Sequence, residues 1–253
     1  MKRSLILLIV VFTLIVVFTY GSVLAQATEE FMVRTGQEAA EVIPRVKHFY
    51  YPDFREGQVF YPQGKRSDVL LLNYNTLLEV MQYIDQSGDT LYIPEESNIF
   101  RYVRIGKDLF YHHFREGYFN LQTREEKYNL ATRTRWKIER RDMMVYNGYG
   151  MSTVSPGSTV STRRVGESVV TNQDMAYRTE TQFYIIGPRD AVFHATRAGV
   201  LKAFNDHKEE IIGYLRDNRT NFDDAQSLTA LVQYANTLAG AKSETTAYNP
   251  NGN

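Results

Sequence analysis

The 253-residue chain contains no cysteine. That excludes a thiol nucleophile, a zinc–thiolate centre, an iron–sulfur cluster and any disulfide. It also excludes a bacterial lipoprotein anchor, which is attached to an N-terminal cysteine. An excess of one charge is lacking too, since 29 Lys and Arg face 29 Asp and Glu. A dedicated nucleic-acid binder shows a basic excess, so no nucleic-acid partner is expected. Common catalytic signatures are missing: there is no His-Glu-x-x-His, Gly-x-Ser-x-Gly or Ser-x-x-Lys. No internal repeat suggests a propeller or solenoid.

Long apolar runs are confined to the N-terminus. Lys2 and Arg3 precede an apolar stretch from Leu5 to Phe18, broken only by Thr13. Gly21 and Ser22 follow, and Ala25-Gln26-Ala27 places small residues where a signal peptidase reads. Residues 1–27 are therefore expected to be an export signal. The charge-free stretch from Ser4 to Thr28 is also long enough for a retained anchor. Either way the remainder is expected outside the cytoplasm, in the periplasm or at the outer-membrane periphery. No later segment is apolar enough to span, so no transmembrane segment is expected after cleavage. The first 27 residues hold two of the 29 basic residues and no acidic ones. The rest carries 27 against 29, a net charge of −2.

What the chain does have is aromatics, 18 Tyr and 14 Phe. Such rings suit a half-buried sheet surface, packed on one side and wet on the other. From about Tyr50 to Arg141 the dominant period is two. Strands are expected at 57–62, 69–75, 79–85, 90–94, 99–105, 109–114, 118–123, 127–132 and 134–139. Gln86-Ser87-Gly88-Asp89 is the turn of a hairpin. Short, closely spaced strands predict an antiparallel meander forming a sandwich or partly open barrel. Residues 28–142 are thus the β-rich domain.

Residues 143–176, with the Ser/Thr/Gly-rich run from Met151 to Thr162, are expected to be a flexible loop. Residues 177–239 supply a final strand and a helical cap of two or three short helices. The period turns helical from Ala195: Val200, Leu201 and Phe204, then Ile211, Ile212 and Leu215. A third stripe joins Leu228, Leu231, Val232, Ala235 and Leu238. Asp206 with Glu209 and Asp223 with Gln226 are the expected caps. Residues 240–253 are expected to be a disordered tail. The fold class is α+β, mostly β.

The near-misses for chemistry have plain structural explanations. Gly57 to Lys65 has six residues between its glycines where a phosphate loop needs four, and Pro62 offers no N–H. His112 and His113 are adjacent in a strand, so they face opposite ways and share no metal. No metal or cofactor is expected. Acidic residues include Glu79, Asp85, Asp89, Glu95 and Glu96, and turns and solvated strand ends explain the last four. A hydrolase would need two of its carboxylates held across a cleft.

One constellation stands out as a candidate binding site. Arg133, Arg135 and Lys137 alternate along one strand face, with Trp136 and Ile138 on the other and Arg140 and Arg141 following. Cations beside aromatics suit an anionic glycan, a lipid headgroup or an acidic partner loop. The same row is also the solvated side of an ordinary strand, where Lys and Arg discourage edge pairing.

The run Leu71-Leu-Asn-Tyr-Asn-Thr-Leu-Leu-Glu-Val-Met-Gln-Tyr-Ile-Asp-Gln-Ser-Gly-Asp-Thr-Leu91 has companions elsewhere. They are Asp53-Phe54, Gly57-Gln-Val-Phe60, Ile105-Gly106, Phe110-Tyr111, Tyr149-Gly150-x-Ser152 and residues 208–215. Together these resemble a family of uncharacterised exported proteins of bacteria with an outer membrane. The resemblance implies a periplasmic or outer-membrane-associated setting and no mechanism. The expected function is a non-enzymatic envelope module that binds or assembles with an envelope or outer-membrane protein. The alternative is an envelope glycan-binding module or a hydrolase using sheet carboxylates.

Overall fold

Alternating apolar and polar residues build most of the molecule. The computed structural model describes residues 29–94, 100–140 and 173–247. The expected export signal, Glu95, Glu96, Arg141 and most of the 143–176 segment lie outside those residues. The described residues from Phe31 onward belong to one compact unit.

The strands are β1 (Glu30–Val33), β2 (Arg55–Phe60), β3 (Leu70–Asn75), β4 (Val80–Ile84), β5 (Thr90–Tyr92) and β6 (Tyr102–Ile105). They continue as β7 (Asp108–His113), β8 (Gly117–Leu121), β9 (Asn129–Arg140), β10 (Met175–Ile186) and β11 (Val192–His194). All join one open antiparallel sheet in the order β1-β10-β9-β8-β7-β6-β2-β3-β4-β5, with β11 also beside β10. Since β9 pairs along the whole of β10, β1 and β11 share the opposite edge of that strand.

Two expectations need correction here. The strands at 127–132 and 134–139 are a single strand, β9, because β10 pairs with every residue from Asn129 to Arg140. β10 begins at Met175, inside the segment expected to be a loop.

The sheet coils on itself without closing. Five inter-strand steps separate β3 from β9, about 24 Å in a flat sheet at roughly 4.8 Å per step. Yet the indole nitrogen of Trp136 in β9 donates to Oγ1 of Thr76, just past β3, at 3.2 Å. β8 pairs with β9 only through Asn120 and Leu121. Beyond that point the β3–β4 turn packs on the free stretch of β9, where Leu77 joins Trp136 in the core. The concave face is filled by Val59, Leu72, Tyr74, Met81, Val103, Phe110 and Tyr118. Of the two architectures expected, the partly open barrel is the one found.

The buried Asn73 and Asn75 explain the polar letters of the Leu-Asn-Tyr-Asn run. The Asn73 amide nitrogen donates to the carbonyls of Tyr51 and Asp53, and its oxygen accepts from the Tyr51 N–H. Asn75 accepts from the N–H groups of Leu77 and Leu78, which holds the β3–β4 turn.

A short helix α1 (Ala39–Val42) precedes β2. The C-terminal cap comprises α2 (Arg197–Ala203), α3 (Lys208–Asp217) and α4 (Ala225–Ala247). Thr196 caps α2 by accepting from the Gly199 N–H. The expected caps of the other two are displaced. His207 precedes α3 with no side-chain cap, because Asp206 is taken up in a short 3-10 turn. Asp224, one residue past the expected Asp223, caps α4 by accepting from the Ser227 N–H. Leu228, Leu231, Val232 and Ala235 are buried against Leu130 and Ile185 of the sheet. Each large member contributes about 1.5–3 kcal/mol of burial. α4 continues past Gly240 to Ala247, where a disordered tail was expected. Among the described residues no helix is long and apolar enough to cross a membrane.

Candidate functional site

A row of paired residues crosses the sheet on the helix-covered face: Phe110, Asn120, Thr132 and Phe183. Phe110 is buried in the barrel core and Phe183 packs beneath the helices. Between them Asn120 and Thr132 are exchanged for apolar side chains, and the sheet there is the floor of a cleft. Its volume is about 620 Å³. Tyr50 from the loop before β2 and Lys107 and Asp108 from the β6–β7 turn line one side. Leu121, Gln122 and Arg124 after β8 line another, with Thr181 and Ala225 completing it.

The polar groups of the cleft are partly bonded to one another. The Asn120 amide nitrogen donates to the Tyr50 hydroxyl at 2.9 Å. Gln122 donates to Oγ1 of Thr132 and to the Asn120 carbonyl, both at 3.1 Å. Arg124 donates to the Lys107 carbonyl. Tyr51 donates to one oxygen of Asp108 at 2.6 Å. Asn120 is 5% exposed, and its Oδ1 has no partner among the described residues. A buried acceptor left alone costs about 1–3 kcal/mol.

Burial pushes the Tyr50 and Tyr51 hydroxyls up, and the bond to Asp108 pushes Tyr51 further. Both phenols stay protonated at neutral pH and act as donors, not as bases. Asp108 is the single carboxylate among the lining residues.

The cationic row occupies the opposite face of the same ribbon. Arg133 is 7% exposed, lies over the Phe119 ring, and meets Glu79 and Glu116 at 3.4 and 3.6 Å. Arg135 stands opposite Glu180 on β10. Lys137 reaches Glu139 at 2.9 Å, a carboxylate that Arg178 also contacts. Trp136 is buried from the other side, edge-on to Phe31. The four residues share a strand, with Trp136 on the face opposite the three cations, and acidic neighbours stand beside each cation.

Asp85 and Asp89 share the hairpin turn, and Glu95 and Glu96 lie outside the described residues. Asp85 accepts from the N–H groups of Ser87 and Asp89 and closes the hairpin turn. His112 is buried between Phe100 and Tyr118, with ring centroids 4.8 Å from each. His48 bonds the Ile43 carbonyl. The cleft residues Tyr50, Asp108, Asn120, Gln122 and Arg124 were not singled out from sequence. One signal was there: Asn120 alternates with Tyr118, so an amide falls on a core-facing strand position.

No family model matches the chain, and no curated protein or solved structure matches it either.

Proposed function

We propose that the protein is a non-enzymatic binding module of the cell envelope, exported by its N-terminal leader. The observation carrying this reading is the lining of the cleft. Its volume falls in the range of about 300–1,000 Å³ typical of small-molecule sites. Neutral amides and hydroxyls dominate it, and a two-carboxylate hydrolase has only Asp108 to draw on there. The charge and apolar order of residues 1–27 supports the envelope setting.

Lys107 sits exposed on the rim and reports on occupancy. Acetic anhydride labelling of the purified full chain, with and without soluble envelope extract, tests the reading by mass spectrometry. The extract is expected to protect Lys107 several-fold and to leave the exposed Lys208 unchanged. Equal labelling of Lys107 in both samples contradicts the proposal.

A second reading, docking of an envelope protein by strand addition, is favoured by β5. This strand ends the sheet, and Leu91 and Tyr92 on it are exposed. An added strand would find unpaired backbone groups and two apolar side chains. Photo-crosslinking from position 92 in intact cells tests it. A protein adduct supports docking, and no adduct removes this second reading.

A further inference from the structure

We infer that the cleft binds the ring of a polyhydroxylated sugar, which rests on the binding-module reading above and names its ligand class. The cleft leaves several of its hydrogen-bonding groups unspent. Among the described residues, Asp108 keeps one carboxylate oxygen without a partner, its other oxygen holding Tyr51. Gln122 spends its nitrogen on Thr132 and Asn120 and keeps its oxygen. The Tyr50 hydroxyl accepts from Asn120 and keeps its own proton. Arg124 spends one nitrogen on a carbonyl and keeps the rest. The site therefore holds both unspent donors and unspent acceptors.

That mixture selects among ligand chemistries. A phosphate or carboxylate would find donors in Lys107 and Arg124, but it would strand the free oxygens of Asp108 and Gln122, and Asp108 repels it. An apolar ligand would strand every one of these groups. A hydroxyl donates and accepts at once, so it matches each of them. Phe183, Leu121 and Ala225 add apolar surface for the C–H face of a sugar ring. The volume leaves room for more than one ring.

The test is saturation-transfer NMR on the purified full chain with maltotriose, cellotriose, chitotriose and mannotriose, and inorganic phosphate as the control. At least one trisaccharide is expected to show transfer and to protect Lys107 from acetylation in the unaltered protein. Gln122→Leu and Asp108→Asn are each expected to weaken that sugar at least tenfold, with folding checked by circular dichroism. Phosphate is expected to do neither. Sugar binding that leaves Lys107 unprotected, or that both folded variants retain in full, overturns the inference. So does a protein to which no sugar binds. If envelope extract still protects Lys107 in that case, only the ligand class is wrong. If nothing protects Lys107, the binding-module reading falls as well.

Discussion

The indole N–H of Trp136 donates to Oγ1 of Thr76 across 60 residues of sequence, and Thr76 in turn donates to the His48 carbonyl. This short chain ties β9, the β3–β4 turn and the segment before β2 into one corner of the coiled sheet. Trp136→Phe keeps an aromatic ring and removes the donor, so it is expected to cost about 1–2 kcal/mol. Thr76→Val costs a similar amount. A double-mutant cycle by chemical denaturation is expected to give a coupling of about 0.5–1.5 kcal/mol. Strict additivity would mean that the bond does not hold the corner.

The cationic row is expected to behave as structure. Arg135→Gln and Lys137→Gln remove exposed or half-exposed charges, so each costs less than about 0.5 kcal/mol. Arg133→Gln removes a buried guanidinium facing Glu79 and Glu116 and costs about 1–3 kcal/mol. None of the three is expected to alter retention on heparin or on anionic vesicles. Loss of a measurable retention in the Arg135 or Lys137 variant would return the row to the list of binding sites.

The β10–β11 hairpin stores backbone strain that can be relieved. Arg189 has φ 57° and Asp190 φ 60°, both in the left-handed region. Asp190 earns its position by pairing with Arg101 and standing beside Tyr111, whose hydroxyl burial first and Asp190 second push up. Arg189→Gly is therefore expected to stabilise by about 0.5–1 kcal/mol, the strain relieved less the added chain entropy. Asp190→Gly relieves the same strain but loses both partners and gains nothing. Thermal denaturation of the two variants separates these cases, and equal shifts would contradict the assignment.

Stability is expected to fall with acid through His112. Burial, with the neighbouring His113 second, pushes its imidazole down to about 4 from an ordinary 6.5. The neutral form is the one the fold accepts. Above pH 6.5 the folded and unfolded chains bind the same number of protons here, namely none. Between 6.5 and about 4 the unfolded chain binds one more, so stability drops as pH falls, by at most about 3 kcal/mol. Burial moves His48 in the same direction. Urea titrations at pH 7 and 4.5 measure the drop, and His112→Phe is expected to reduce it. An unchanged pH dependence in that variant would assign the loss to other groups.

The meander was legible because aromatic and branched apolar residues recur in short segments between Leu70 and Leu121, several of them joined by short turns. The continuity of β9 was not, since its 12 residues are held together by β10, beyond the reach of local periodicity. β1 and β11, with four and three residues, are too short to carry a period of their own. The helical stripes were read correctly, but the caps were misplaced. The helix cap falls on Asp224, and the 3-10 turn at Asn205–His207 takes up Asp206, so both helices start later than expected. The cleft was the least legible feature. Asn120 announced itself as an amide on a core-facing position, whereas Tyr50, Asp108 and Arg124 reach the site only through the coil of the sheet.

The claim that the cleft is the site of binding has one most direct measurement. It is the side-chain amide NMR spectrum of Asn120 and Gln122 in the full chain, titrated with soluble envelope extract. The account predicts that both NH₂ signals shift in a saturable way, while that of Asn218, at the end of α3, stays fixed. Binding seen elsewhere in the spectrum with the Asn120 and Gln122 signals unmoved would contradict it.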